Sequence, residues 1–287
     1  MNTRTLANNV TIPTLGFGVF QVPNEGAAKQ AVIDAIKTGY RLIDTAASYG
    51  NEREVGQGIK AVIEEGIVKR EDLFITSKLW VNDVTAAKAP KAIQDSLDRL
   101  QLDYLDLLLI HQPYNDVFGA WKAMEEAYEK GLVKSIGVSN FDNAQITNLA
   151  EFNDIKPMVA QIEVNPFCQN IEKVQYMQDY GVQIEAWAPF AEGQHDLFKN
   201  ELLQSIGDKY NKSVAQVVLR WLYQRDIIPL AKSVKPERMQ QNIDVLDFEL
   251  SDEDMEQIKT LDTNQSQFFD HHDPKMIKWM AGRTIEY

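Results

Sequence analysis

Short apolar runs recur along this chain, each followed by a stretch of helical spacing. The runs fall at residues 14–20, 40–46, 73–80, 104–113, 133–141, 158–166, 182–190 and 227–233, eight in all. Between the first two, residues 25–39 place Ala28, Val32, Ala35 and Ile36 on one face, and Gly39 suits a helix C-cap. Residues 85–101 stack Ile93, Leu97 and Leu100 behind Thr85 as candidate N-cap, with Pro90 blurring the start. Residues 119–131 and 213–226 repeat the helical pattern, and Ser251 with Asp254 reads as a capping pair. Strands alternating with helices predict parallel pairing, with the helices covering the strands. Eight such units in 287 residues, with no Gly/Ser-rich linker, predict one closed (β/α)8 TIM barrel forming a single domain over 1–287. Residues 4–13, with Asn8-Asn9 between short runs, predict an N-terminal β-hairpin closing the bottom of the barrel.

The competing α/β architecture is a doubly wound sheet. Its dinucleotide fingerprint needs three glycines after the first strand. Here Gly16 and Gly18 are followed by Gln21, so the pair reads as tight backbone in the first strand.

Composition narrows the picture. Asp and Glu outnumber Lys and Arg by 42 to 29, a net charge of −13, which disfavours nucleic acid and anionic membrane as partners. No apolar run approaches the ~18 residues of a membrane span, and the N-terminal residues have no signal-peptide core. The single cysteine, Cys168, suits a reducing compartment and reads as packing, so a cytoplasmic location is expected.

The strand ends carry the chemistry. In a parallel barrel all eight carboxyl ends open on one face, where active sites of this fold lie. Asp44, Lys78, His111, Ser139-Asn140, Gln161 and Trp187 fall at or near such ends, and Tyr49 lies in the loop after the second. Singly, each has a bland reading as cap, solvated charge or structural residue. Together the bland reading weakens, because an unpaired lysine or imidazole after an apolar run costs several kcal/mol. A phenol near an ammonium is a tunable proton donor, since tyrosine ordinarily titrates near ~10. A proton donor aimed at an oxygen gaining charge is what carbonyl reduction needs, and a hydride requires a nicotinamide cofactor.

These residues sit in recognisable motifs. Residues 39–56 (GYRLIDTAASYGNEREVG), 136–141 (IGVSNF) and 230–242 (LAKSVKPERMQQN) resemble the three signatures of the aldo-keto reductase family. Residues 111–126 resemble its bacterial branch, often labelled 2,5-diketogluconate or glyoxal reductases. The resemblance implies a catalytic tetrad of Asp44, Tyr49, Lys78 and His111. Tyr49 would be the general acid, Lys78 held by Asp44 would depress its pKa, and His111 would orient the carbonyl. It further implies nicotinamide contacts from Ser139, Asn140 and Gln161, with Trp187 as the stacking ring where the family usually has tyrosine. Lys232, Ser233 and Arg238 would take a 2′-phosphate and Asn242 the adenine, giving NADPH/NADP+ as cofactor. The basic run at Lys232, Lys235 and Arg238 brackets a helix start at Pro236, and a helix N-terminus favours phosphate.

Phe20, Val22, Trp80, His111 and Phe190 are expected to line the substrate mouth, Val22 having an equally good reading as barrel cap. Gln112 replaces an aromatic residue often found after the family's histidine. Ala188-Pro189-Phe190 lacks a hydroxyl that the family commonly offers the cofactor. The tail from residue 266 adds Phe268, Phe269, His271, His272 and Trp279. It is expected to fold over the mouth, with the two histidines in a solvated turn and no metal bound. The expected function is NADPH-dependent reduction of a small carbonyl substrate by a monomer. The alternatives are an NADPH-binding redox-sensing regulatory protein with weak reductase activity, and a Schiff-base aldolase built on Lys78.

Overall fold

The structure is a computed structural model that describes residues 2–283 and residue 285. Met1, Thr284, Glu286 and Tyr287 lie outside the described residues, and with them the end of the predicted tail. Strands β1 (Thr3–Thr5) and β2 (Thr11–Pro13) pair antiparallel as the expected hairpin. The barrel strands are β3 (Gly16–Gly18), β4 (Leu42–Asp44), β5 (Phe74–Leu79), β6 (Leu107–Ile110), β7 (Ile136–Ser139), β8 (Val159–Glu163), β9 (Gln183–Trp187) and β10 (Ile227–Ala231). Each pairs in parallel with the next, and β10 closes on β3. Every predicted apolar run contains one of these strands. The runs overshoot the strands because burial continues past the paired residues to the rim, as at Val19 and Trp80.

The helices are α1 (Ala27–Thr38), α2 (Glu52–Glu64), α3 (Ala89–Leu100), α4 (Val117–Glu129), α5 (Asn143–Glu151) and α6 (Ile171–Asp179). They continue as α7 (Glu201–Tyr210), α8 (Val214–Gln224), α9 (Pro236–Ile243), α10 (Asp252–Lys259) and α11 (Pro274–Gly282). Gly39 ends α1 at φ 123°, its amide bonded to Ala35 and Ile36 carbonyls. Ser213 caps α8 and Ser251 caps α10 in reciprocal boxes with Gln216 and Asp254. Thr85 departs from expectation. Its hydroxyl accepts the Lys88 amide at 3.1 Å in a separate turn, and α3 begins at Ala89 with Pro90 in its first turn. Proline fits there because the first helical amides need no intrahelical acceptor.

The tail crosses the carboxyl-end rim. Met280 of α11 is buried against Trp80 and Val81, just past β5. At β8, Glu163 accepts hydrogen bonds from the Ser266 hydroxyl at 2.6 Å and the Gln267 amide at 3.0 Å.

The Gly16/Gly18 pair serves the barrel wall. A Cβ on Gly16 would overlap Leu230 Cδ2 and lie 2.6 Å from Leu42 Cδ2, whereas one on Gly18 would meet only the Leu230 carbonyl at 3.9 Å. Gly16→Ala is therefore expected to destabilise the barrel by about 1–3 kcal/mol through overpacking. Gly18→Ala should be nearly neutral, and thermal unfolding midpoints of the two variants check the contrast.

Candidate active site

Alternation along the strands decides which side chains meet inside the barrel. Asp44 shares its face with Leu42, and its register partner is Thr76, two residues before Lys78. Gln161 is the register partner of Glu185, and Glu163 of Trp187. This parity brings one carboxylate, one ammonium and one amide into the same interior layer.

Lys78 has a fully buried side chain. Its Nζ lies 2.7 and 2.8 Å from the two Asp44 oxygens, 2.9 Å from the Thr45 carbonyl and 3.2 Å from Tyr49 Oη. A buried ion pair offsets its desolvation only when geometry is good and the remaining donors are satisfied. Both conditions hold here. Burial alone would lower the Lys78 pKa, but Asp44 and Tyr49, by charge and hydrogen bond, together raise it. The amine therefore stays an ammonium, which removes the nucleophile that a Schiff-base aldolase needs.

Tyr49 ends a short 3-10 turn, Ala47–Tyr49, after β4. Its oxygen accepts from the ammonium, so its own proton is free to point elsewhere. The expected net depression of its pKa is not found. Burial pushes the phenol up, Lys78 pulls it down, Asp44 pushes it up again, and the net direction is upward. The lysine effect has the anticipated sign; desolvation outweighs it in this site.

His111 follows β6, its amide bonded to the Leu79 carbonyl at 3.1 Å. Its ring stands edge-on to Tyr49 at 5.7 Å and to Trp80 at 5.4 Å. Burial lowers its pKa well below the usual imidazole range, helped by the charge of Lys78 and then by Arg283 and His271. Its Nδ1 is 3.2 Å from Ser48 Oγ. A neutral ring that accepts from Ser48 at Nδ1 carries its proton on Nε2, ready to donate.

Gln161 donates both amide protons internally, to Asp44 Oδ2 and to Glu185 Oε2, each at 2.9 Å. Its carbonyl oxygen is left as an acceptor. Asn140, in left-handed backbone at φ 65°, donates to the His111 carbonyl at 3.0 Å and to Ser139 Oγ at 3.1 Å. The Trp187 indole donates to Asn140 Oδ1 at 2.8 Å, which fixes the plane of that ring. Phe268 of the tail packs on Trp187 with centroids 5.2 Å apart.

The basic run lies after β10. Lys232 and Arg238 are exposed, and among the described residues neither has an acidic partner. Ser233 is buried, its hydroxyl accepting the Lys235 amide at 3.0 Å. Asn242 is buried on α9. Ala188 opens the loop after β9 at φ 45°, and Ala191, Glu192, His195 and Asp196 are also left-handed.

Of the expected mouth residues, Phe20 is 44% exposed with its ring 4.9 Å from Tyr49. Trp80 lies beside His111, as given above. Phe190 is half-buried against Phe198 and the core. Val22 takes the barrel-cap position: it is 4% exposed and packs in the main core. His271 is not solvated. It is half-buried against Phe269 at 4.5 Å, and burial holds its pKa down to about 4. Cys168 is buried, with its thiol pushed up to about 12 by burial and the Glu163 charge.

Two interior contributors escaped the sequence reading. Glu185 is fully buried, its carboxyl pushed up to about 8 by burial and by Asp44. Strict alternation from Trp187 would have placed it inside. Ser48 had no distinguishing signal, since only the turn after β4 brings it to His111.

A model of the aldo/keto reductase family matches residues 14–263. The chain is 47% identical over 265 residues to a glyoxal reductase of Bacillus subtilis, covering 92% of this chain and 94% of that one. It is 42% identical over 296 residues to an NAD(P)H-dependent D-xylose reductase of Candida tropicalis, covering 90% and 91%. Among solved structures, an aldo-keto reductase of Bombyx mori in complex with NADP superposes with a TM-score of 0.90 at 37% identity, covering 96% of both chains. The chain belongs to the aldo/keto reductase family.

Proposed function

We propose that this protein reduces small aldehydes or ketones to alcohols with NADPH, Tyr49 giving the proton. The observation that carries the reading is the Tyr49 oxygen held 3.2 Å from an ammonium that Asp44 locks in place. A bound nicotinamide cofactor supplies the hydride. Tyr49, protonated at neutral pH, meets the negative charge that then develops on the carbonyl oxygen. Neutral His111 donates a second hydrogen bond to that oxygen through Nε2. Lys78 stabilises the phenolate left behind, and Asp44 keeps Lys78 charged. For the reverse reaction the same phenolate is the base.

The residues present fit the cofactor. The free Gln161 carbonyl suits a carboxamide N–H, and the Ser139 hydroxyl and Asn140 can complete that contact. Trp187 offers a large ring for stacking. Lys232 and Arg238 suit the 2′-phosphate because they bring unpaired positive charge on a chain of net charge −13, and Ser233 adds a hydroxyl beside them. Asn242 would meet the adenine, and Phe20, Trp80 and Phe190 would shape the mouth. We place the enzyme in the cytoplasm as a single-domain monomer; among the described residues no helix is long and apolar enough to cross a membrane. The regulatory alternative finds no support: a sensor needs no phenol seated on a buried ammonium. No group of His, Cys, Asp and Glu among the described residues could hold a metal ion.

Tyr49→Phe should lower kcat by about 10²–10⁴-fold while NADPH affinity, followed by fluorescence titration, stays unchanged. Lys232→Ala and Arg238→Ala should each weaken NADPH by about 10-fold or more and leave NADH nearly unaffected. Equal loss for both cofactors would remove the phosphate assignment. The pH profile of kcat/KM for reduction tests the two proton donors. His111 lies well below 6.5, so no break is expected there. Tyr49 is raised, so activity should fall only on the alkaline side, where the phenol loses its proton.

A further inference from the structure

One buried acid has no step in the chemistry above. Glu185 is fully buried on β9, where its register partner on β8 is Gln161. Its Oε2 accepts from Gln161 Nε2 at 2.9 Å, and its Oε1 has no partner among the described residues. Among those residues it takes part in no ion pair. The barrel does not need this acid to join the two strands, which share five register pairs from Val159 with Gln183 to Glu163 with Trp187. A well-packed apolar side chain would fill the same space without the desolvation that burial imposes on a carboxyl. A buried polar group kept at such a cost for one partner directs attention to what that partner does.

That partner is the amide of Gln161. Its nitrogen carries two protons, and a single acceptor takes only one of them. Asp44 Oδ2, 2.9 Å away, is the first acceptor, and it already receives Lys78 at 2.8 Å. One hydrogen bond leaves the amide free to turn about it, whereas a second, to Glu185, fixes the amide plane. With both protons taken inside the barrel, only the carbonyl oxygen is left to meet a ligand. An amide reversed by half a turn would set its oxygen against Asp44 Oδ2 and Glu185 Oε2. Burial and the Asp44 charge favour the neutral acid, so the second acceptor need bring no second negative charge.

We propose that Glu185 is a positioning residue for cofactor recognition: by taking the second amide proton of Gln161 it makes that side chain a pure acceptor, which selects a ring substituent that donates N–H. This rests on the reductase reading and its Gln161 contact, and adds the residue that gives the contact its direction. A carboxamide donates to such an oxygen, and an acetyl group in its place does not.

The test compares NADP+ with 3-acetylpyridine adenine dinucleotide phosphate in wild type, Glu185→Gln and Glu185→Met. Binding is followed by quenching of tryptophan fluorescence. Wild type should bind NADP+ about 10-fold more tightly than the analogue, the range of one hydrogen bond left unmade. Glu185→Met frees one amide proton, so that preference should shrink to about 2-fold or less through weaker NADP+ binding, with the affinity for the analogue unchanged. Glu185→Gln still offers an oxygen to Gln161 and should keep the wild-type preference. Because an apolar side chain is easier to bury than an acid, the thermal midpoint of Glu185→Met should not fall. Loss of folding in Glu185→Met, equal weakening of both ligands, or no wild-type preference would overturn the proposal while leaving the reductase reading intact. A Glu185→Gln variant that loses the preference as fully as Glu185→Met would also overturn it. Failure of wild type to bind either ligand would remove the reductase reading, and the proposal with it.

Discussion

Four oxygens around one buried ammonium govern this site. Lys78 has no water to solvate it, so its charge depends on Asp44, the Thr45 carbonyl and Tyr49. Removing the lysine would strand a carboxylate in a dry interior, a loss on the order of 3–5 kcal/mol. Stability and chemistry are therefore coupled: the arrangement that keeps the ion pair from being a liability is also the one that orients the phenol. Because the ammonium donates to Tyr49 Oη, the phenolic proton has to point away from it.

The barrel makes that arrangement hard to avoid. Closure of β10 on β3 fixes the stagger of all the strands, and strand parity then determines which residues face inward. Asp44, Lys78, Gln161 and Glu185 are inward by parity alone. The cluster extends from the ion pair through Gln161 to Glu185, whose carboxyl is pushed up to about 8 by burial and by Asp44. Burial and the Asp44 charge favour its neutral form, which eases the packing of a second carboxyl beside the Asp44–Lys78 pair.

Much of this was legible in the sequence. Apolar runs of strand length located every barrel strand, because a parallel strand buried on both faces leaves a continuous hydrophobic mark. The grouping of Asp44, Lys78 and His111 was legible because polar residues at strand ends stand out against those runs, whereas the roles assigned to them and to Tyr49 came from the resemblance. Balances of opposing effects were not. The Tyr49 pKa depends on how far burial exceeds the pull of Lys78, and no spacing rule conveys that. His271 reads as solvated from its neighbours Asp270, His272 and Asp273, yet the tail folds it against Phe269. Val22 and Phe20 lie two residues apart on one loop, and only the turn of the chain sends one to the core and the other beside Tyr49. Thr85 shows the local limit: a good capping residue can serve a turn instead of the helix when proline moves the helix start.

The placement of unpaired charge connects the pieces. An acidic protein repels anionic ligands over most of its surface, and that repulsion must be reversed locally for an anion to bind. Lys78 cannot do this, since Asp44 cancels it within 2.7 Å. Lys232 and Arg238 after β10, and Arg283 beside Trp80, are exposed cations without acidic partners among the described residues, and all three lie toward the carboxyl-end rim. Two such cations on one short segment after β10 reverse the sign of the local potential there, which is what a phosphorylated cofactor requires on this acidic chain.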